Sequence, residues 1–343
     1  MAADRLILAG DIGGTKTNLA IFDRDRGLAH PVASGTYASG QYSDLTEMVG
    51  EFLGTADLFV GQAGLGVAGP VLDGRARITK LPWTVDSGQL REAFSLSEVV
   101  IVNDLVATAN ALPVLGADDL LNLNPGRPQE HAPQAVIAPG TGLGETFMLW
   151  DGSRYQPYPS EGGHALFAPA NKLQDMLLNY LRGQYTSISY DLICSGRGIP
   201  LIYEFLQKIE YAEEFETVST RLATAADPTP IITEAALAAQ ASPLCLAALE
   251  LFAAILAAEA ANLALKVLAR GGIFLGGGMP SRILPVLQKN FMPDFIGQRL
   301  LAELLADIPV QIIINTKAAL LGAARFICPD LSFAPGEIGK GML

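Results

Sequence analysis

Charged residues are scarce in this 343-residue chain, at 17%, and they lean one way: 23 Lys and Arg against 35 Asp and Glu, a net charge of −12. A nucleic-acid surface needs clustered basic side chains to replace phosphate counterions, so an acidic chain argues against nucleic acid as a partner. Cysteine is nearly missing. Cys194, Cys245 and Cys328 are odd in number and far apart, which fits neither a disulfide framework nor a zinc site and points to a cytoplasmic protein. Long hydrophobic runs are missing as well. Residues 235–269 are rich in Ala and Leu, but Pro243, Glu250, Glu259, Asn262 and Lys266 interrupt them. A membrane span needs about 18 uninterrupted apolar residues, so the segment reads as a buried helix and no membrane partner is expected. The N-terminus has no basic region followed by an apolar stretch and a cleavage site, so no leader is expected either.

What the chain has is apolar residues, 50% of the total, enough for a large core and against disorder. Its length suggests about two domains. Residues 6–9 and 19–22 are apolar runs around a Gly-rich turn and predict a hairpin. Residues 43–53 predict a helix capped by Ser43, with Leu45, Met48, Val49 and Phe52 on one face. A strand over 58–67 ends in glycines. The run 99–102 is wholly apolar, as in a strand covered on both faces, and a helix over 105–112 stops at Pro113. A polar, Pro-rich segment, 122–133, precedes a strand at 135–138; 172–269 are mainly helical by pattern. Strands at 273–275 and 310–314 and a helix over 317–326 follow. Strands alternating with helices make this an α/β protein. The starts near Leu6 and Ala135 each place glycines and threonine after an apolar strand and suggest two related halves.

Three glycine turns follow strands: Gly10-Asp11-Ile12-Gly13-Gly14-Thr15, Gly140-Thr141-Gly142-Leu143-Gly144 and Gly276-Gly277-Gly278. Glycine lets backbone N–H groups approach and point at an anion, and threonine adds a hydroxyl donor, so the three together point to phosphate binding. Two near matches fail in context. Residues 10–17 resemble a P-loop, but Thr15 stands where that motif needs glycine, and a β-pattern follows where it needs a helix. Residues 64–69 fit the dinucleotide fingerprint, yet Pro70 and Asp73-Gly74 follow in place of the helix that would hold a pyrophosphate.

Asp104 ends an apolar strand and begins a helix, beside Asn103. It reads either as a helix cap or as a general base at the carboxyl end of a strand, where α/β clefts form. Ser160-Glu161-Gly162-Gly163-His164 joins a carboxylate and an imidazole with glycines that allow close approach. No second His or Cys lies at ligand spacing for a metal, and no serine sits in a nucleophile elbow. Such groups suit a polyhydroxylated ligand. Asp191 either joins them or caps a turn before a helix.

In this order, Gly10–Thr15, Asn103-Asp104, Gly140–Gly144, Glu161-Gly162-Gly163-His164 and Gly276–Gly278 resemble bacterial glucokinase, a family within the superfamily of sugar kinases, actin and heat-shock chaperone ATPases. The resemblance runs from about residue 6 to 324. It implies a two-domain actin-like (ribonuclease H-like) α/β fold with an interdomain cleft, the smaller domain being residues 1–108 plus 315–343 and the larger 109–314. It also implies ATP and Mg²⁺ as cofactors, glucose as substrate, and a homodimer. Asp11 would lie near magnesium, through water; Gly10–Thr15 and Gly140–Gly142 would hold the phosphates, and Gly276–Gly278 the adenosine. Asn103, Asp104, Glu161, His164 and Asp191 match the glucose positions, with Asp104 as base. The chain departs from the family at Asp191 (usually glutamate), Lys80 (often asparagine) and Ser160 (often glycine). A kinase for another hexose, a non-catalytic sugar- and ATP-binding regulator, and an ATPase without a sugar substrate remain open on the residues alone.

Overall fold

The computed structural model describes residues 5–78 and 80–332. The chain separates into two compact units. One contains the chain up to Leu120, Asp151–Pro159 and the chain from Ile314; the other contains Leu121–Trp150 and Ser160–Ile313. The expected division at residue 108 falls inside one helix, and residues 1–4 and 333–343 of the expected smaller domain lie outside the described residues.

The first unit is built on strands β1 (Leu6–Ile12), β2 (Lys16–Asp23), β3 (Ala33–Ala38), β4 (Gln62–Val67) and β5 (Glu98–Asn103), in the order β3-β2-β1-β4-β5. The β1–β2 hairpin is antiparallel, whereas β1–β4 and β4–β5 are parallel. Helix α1 (Leu45–Ala56) buries Leu45, Met48, Val49 and Phe52, the face its apolar spacing predicts. Its cap is Asp44, not Ser43: Asp44 Oδ1 accepts the Glu47 N–H at 2.9 Å, and Glu47 reaches back to the N–H and hydroxyl of Ser43. The acid at the third helical position thus selects the capping residue.

Two strand expectations need correction. The expected strand over 58–67 spans only Gln62–Val67, with Gly64 and Gly66 inside it. Helices α2 (Asp104–Ala111) and α4 (Ala318–Ile327) press their backbones onto the sheet there. A Cβ on Gly64 would run into the Ala323 carbonyl, and one on Gly66 would stand 3.0 Å from Ala107 Cβ. The two helices also meet closely, Gly322 facing the Ala107 carbonyl, so the whole of α2 stays with the first unit. The β5 run is half-buried, with only Ile101 fully covered, because β5 is the sheet's edge strand.

The second unit places β6 (Leu120–Asn124), β7 (Gln134–Pro139), β8 (Leu143–Trp150), β9 (Gly272–Leu275) and β10 (Val310–Ile313) in the order β8-β7-β9-β10-β6. Strand β6 lies partly in the stretch read as a polar loop, since Asn122 and Asn124 mask it; their side chains bond Gln311 and the Ala306 and Ile308 carbonyls. The β7–β8 hairpin is antiparallel, and β7–β9 and β9–β10 are parallel. Both units therefore share one core topology: a hairpin around a glycine turn, followed by two parallel partners.

Helix α3 (Pro243–Val267) is the one helix among the described residues long and apolar enough to cross a membrane. Most of it is inside the unit: Leu249, Phe252, Ile255, Leu256 and Ala260 have no exposure and join one core with Ile202, Phe205 and Phe291.

Candidate active site

The first glycine turn is held from below. Gly13 donates its N–H to the Lys16 carbonyl at 3.1 Å, and a Cβ on Gly13 would meet that carbonyl oxygen at 2.7 Å, so the turn requires glycine there. Ser39, fully buried, donates its hydroxyl to the Gly13 carbonyl at 2.7 Å and its N–H to the Thr15 carbonyl at 3.0 Å. Thr17 Oγ1 lies 3.0 Å from Ser39 Oγ. Neither brace was foreseen; a buried serine at the end of a strand carries no local signal.

Asp11 stands near the carboxyl end of β1, where Asn18 Nδ2 donates to its Oδ2 at 3.2 Å. Burial pushes its pKa up, against the Asn18 hydrogen bond and the Lys16 charge. At the end of β5, Asn103 Oδ1 accepts the Leu105 and Val106 N–H groups and caps α2. The cap reading of Asp104 thus passes to its neighbour. Asp104 begins the helix; its Oδ1 accepts the Leu105 N–H at 2.9 Å, and its own N–H and the Asn103 side chain also donate to the carboxylate. Burial, and then the Asp11 charge, push its pKa to about 6, which suits a general base near neutral pH. Two adjacent, half-buried carboxylates also suit a hard divalent cation, which takes oxygen ligands. Among the described residues, no group of three or more His, Cys, Asp or Glu side chains gathers as a metal site.

In the second unit, the second and third glycine turns adjoin at the ends of the parallel strands β7 and β9. Gly276 donates its N–H to the Ile137 carbonyl at 2.9 Å. Gly277 has φ of 79°, and a Cβ there would meet the Pro139 carbonyl oxygen at 2.8 Å. The Gly140–Gly142 turn rests on the segment from Asp191 to Arg197. Asp191 Oδ1 accepts the Leu143 N–H at 2.8 Å and fills the place of a Cβ on Gly142. Arg197 Nη2 donates to Asp191 Oδ2 at 3.1 Å, and Arg197 Nε donates to the Thr141 carbonyl at 3.0 Å.

Glu161 and His164 flank a 3₁₀ turn, Gly162–His164, and both side chains are exposed, with His164 Nε2 3.8 Å from Glu161 Oε2. Ser160 accepts the Gly162 N–H at 3.0 Å on its hydroxyl. Gly163 lies against the Leu143 carbonyl, so this turn packs on the strand that leaves the second glycine turn. Behind it, Glu145 is 3% exposed and its Oε2 fills the place of a Cβ on Gly162, while Oε1 has no hydrogen-bond partner. Burial and then the Glu259 charge push its pKa to about 7, opposed by Lys266. An acid directly after Gly144 in a mostly apolar strand was its only sequence signal.

The chain as a whole has known relatives. The family model described as Glucokinase matches residues 8–329. The chain belongs to the glucokinase family. It is 38% identical over 335 residues to a glucokinase from a Nostoc species, covering 93% of this chain and 98% of the relative. The Chromobacterium violaceum glucokinase is 31% identical, over 95% and 90% of the two chains. Among solved structures, glucokinase from an Antarctic psychrotroph superposes with a TM-score of 0.79 at 27% identity, covering 94% of this chain and 98% of that one. A glucokinase from Streptomyces griseus, solved with glucose and AMPPNP, has a TM-score of 0.62 at 22% identity, covers 94% of this chain and 98% of that one, and shares the fold. Membership makes the chain an enzyme, an ATP-dependent hexose kinase on the two-domain actin-like ATPase fold.

Proposed function

We propose that this glucokinase-family chain transfers the γ-phosphoryl group of ATP to the 6-hydroxyl of glucose, with Asp104 as the general base. The observation that carries the assignment is Asp104 itself: half-buried, released from capping by Asn103, and held near pKa 6 by burial and Asp11. The Streptomyces griseus neighbour, which holds glucose and AMPPNP together, supports the pairing of substrates.

In this reading Asn103, Glu161 and His164 bind sugar hydroxyls, which their carboxylate, amide and imidazole groups can accept or donate to. The turns Gly10–Thr15 and Gly140–Gly142 receive the phosphates through N–H groups other than those of Gly13 and Gly140, which bond the Lys16 and Gly142 carbonyls, and Gly276–Gly278 lies against the adenosine. Asp11 would hold Mg²⁺, and the ion, when bound, would offset negative charge on the phosphates. The glucose O6 forms a bond to the γ-phosphorus as the bond from that phosphorus to the β–γ bridging oxygen breaks; the hydroxyl proton passes to Asp104. Phosphoryl transfer of this kind goes through a loose transition state, so positioning and charge neutralisation do most of the work. The products are ADP and glucose 6-phosphate; a place at the entry of glucose into glycolysis in the cytoplasm, as a homodimer without nucleic-acid or membrane partners, completes this reading.

The test is ADP formation from Mg-ATP with and without glucose, in the wild type and Asp104→Asn. The expected result is glucose-dependent ADP in the wild type and a loss of about 10²–10⁴-fold in the variant, with its circular dichroism unchanged. Near-normal turnover in the variant would remove Asp104 from the role of base. ADP formed without sugar would favour an ATPase, and stronger turnover of mannose or fructose in a substrate panel would favour another hexose.

A further inference from the structure

We propose that Asp191 and Arg197 act as a clasp that positions the phosphate-binding turn at Gly140–Gly142, and that Asp191 serves ATP binding rather than glucose binding. The inference rests on the reading of that turn as a phosphate site. It departs from the role that resemblance alone implies for Asp191, and it gives Arg197 a role that no motif suggested.

Both oxygens of Asp191 are engaged. Oδ1 takes the N–H of Leu143, the residue that closes the turn, and Oδ2 takes Arg197 Nη2. Arg197 then reaches the turn itself through Nε and the Thr141 carbonyl. A third tie, from the Gly196 N–H to the Gly140 carbonyl at 2.8 Å, joins the same two segments, and Thr229 Oγ1 holds the Gly196 carbonyl at 2.7 Å. Gly140, Thr141 and Leu143 are thus each bonded to the stretch between Asp191 and Arg197. A turn that binds an anion through its N–H groups gains from having its carbonyls pinned away from the ligand. The Thr141 and Gly140 carbonyls are held in that way.

The chemistry of the clasp also accounts for the aspartate. Gly142 lacks a Cβ where Asp191 Oδ1 sits, so the short carboxylate is fitted against the turn. Arg197 is 61% exposed on its side chain, and an exposed ion pair contributes little to global stability. Its loss should therefore change ligand binding without unfolding the unit, and that separates positioning from a general structural role.

The experiment measures equilibrium binding of Mg-ATP and, separately, of glucose by titration calorimetry, with KM and kcat alongside. The proteins are the full-length wild type, Arg197→Ala, Arg197→Lys and Asp191→Asn. Displacing a positioning group by about 1 Å can cost up to about 10²-fold. The expected result is ATP binding weakened about tenfold in Arg197→Ala and Asp191→Asn, a matching rise in KM for ATP, and glucose binding within about twofold of the wild type. Arg197→Lys should recover part of the loss, because an ammonium can still reach one of the two acceptors. Unchanged ATP binding in Arg197→Ala would overturn the clasp. Weakened glucose binding with normal ATP binding in Asp191→Asn would return that residue to the sugar. A wild type that binds no ATP would overturn the clasp as well. A wild type that binds both ligands but forms no ADP would count against the kinase reading alone, since the binding titrations report on the clasp independently.

Discussion

Asp11 and Asp104 are separated by a single glycine. Gly66 of β4 is the in-register partner of Asp11, and a Cβ on Gly66 would stand 3.5 Å from Asp104 Cα. With no side chain between them, the two carboxylates share one field, and the charge on Asp11 helps raise the Asp104 pKa to about 6.

Burial first, and then that coupling, set the pH dependence. As a base, Asp104 must be ionised, so kcat/KM is expected to fall about tenfold per pH unit below an acidic limb near pH 6. The profile is measured with glucose and Mg-ATP between pH 4.5 and 8.5 (about the range in which carboxylates and neighbours titrate). A limb in the ordinary carboxylate range, near 4, would show that Asp104 is not the group being titrated.

Asn103 carries the cap of α2, and its Nδ2 also donates to the Gly69 carbonyl at 3.2 Å. Asn103→Ala is expected to lower stability by about 1 kcal/mol, and Asn103→Asp to restore most of it, because aspartate caps equally well. Urea unfolding of both variants decides it. Equal midpoints for alanine and asparagine would mean that the cap belongs to Asp104 after all.

Glu145 makes the second unit sensitive to alkali. Its pKa rises from 4.5 unfolded to about 7 folded, chiefly through burial. The folded state therefore favours the proton: this stabilisation is fully present below about pH 4.5 and is lost as pH rises through about 7. Glu145→Gln cannot ionise. At pH 8 it should be more stable than the wild type by on the order of 2–3 kcal/mol, with a much smaller gain at pH 5. Denaturation at the two pH values gives both differences. A gain independent of pH would assign the effect to packing instead.

Lys80 holds a positive φ of 71° in the turn after Ile78, a conformation that costs an L-residue about 1–2 kcal/mol. Asparagine and glycine both tolerate it. Lys80→Asn should raise the melting temperature, and Lys80→Gly should raise it further, each without changing the sheet. A lower melting temperature in both would place the lysine in an interaction that outweighs its backbone strain.

Much of the architecture was legible because it rests on local rules. The hairpin around Gly10–Thr15, the buried face of α1, the helix after Asn103-Asp104 and the strands at the second and third glycine turns all follow from period, turn chemistry and capping. Capping was legible only to within a residue. Ser43 and Asp44 are both good caps, and the choice fell to Glu47, whose side chain reaches back to Ser43.

Other features could not be read along the chain, because their partners are distant in it. Asn122 and Asn124 disguise β6 until their amides meet residues near 306–311. Gly64 and Gly66 spell a nucleotide motif, yet they are glycines because Ala323 and Ala107 of two helices press on them.

The sequence by itself determined the family, the two repeated strand–turn starts and the set of polar groups available for chemistry, since each depends on residues a few positions apart. Only the tertiary structure decided which group does which task. Asn103 rather than Asp104 caps α2, Asp11 raises the pKa of Asp104 across Gly66, Ser39 braces the first turn, and Asp191 with Arg197 clasps the second. The physical reason is the same in each case: pKa values and hydrogen-bond partners depend on burial and on neighbours in space, and the sheets bring those neighbours from 26, 48 or 93 residues away, as in Ser39 with Gly13, Asp191 with Leu143, and Asp104 with Asp11.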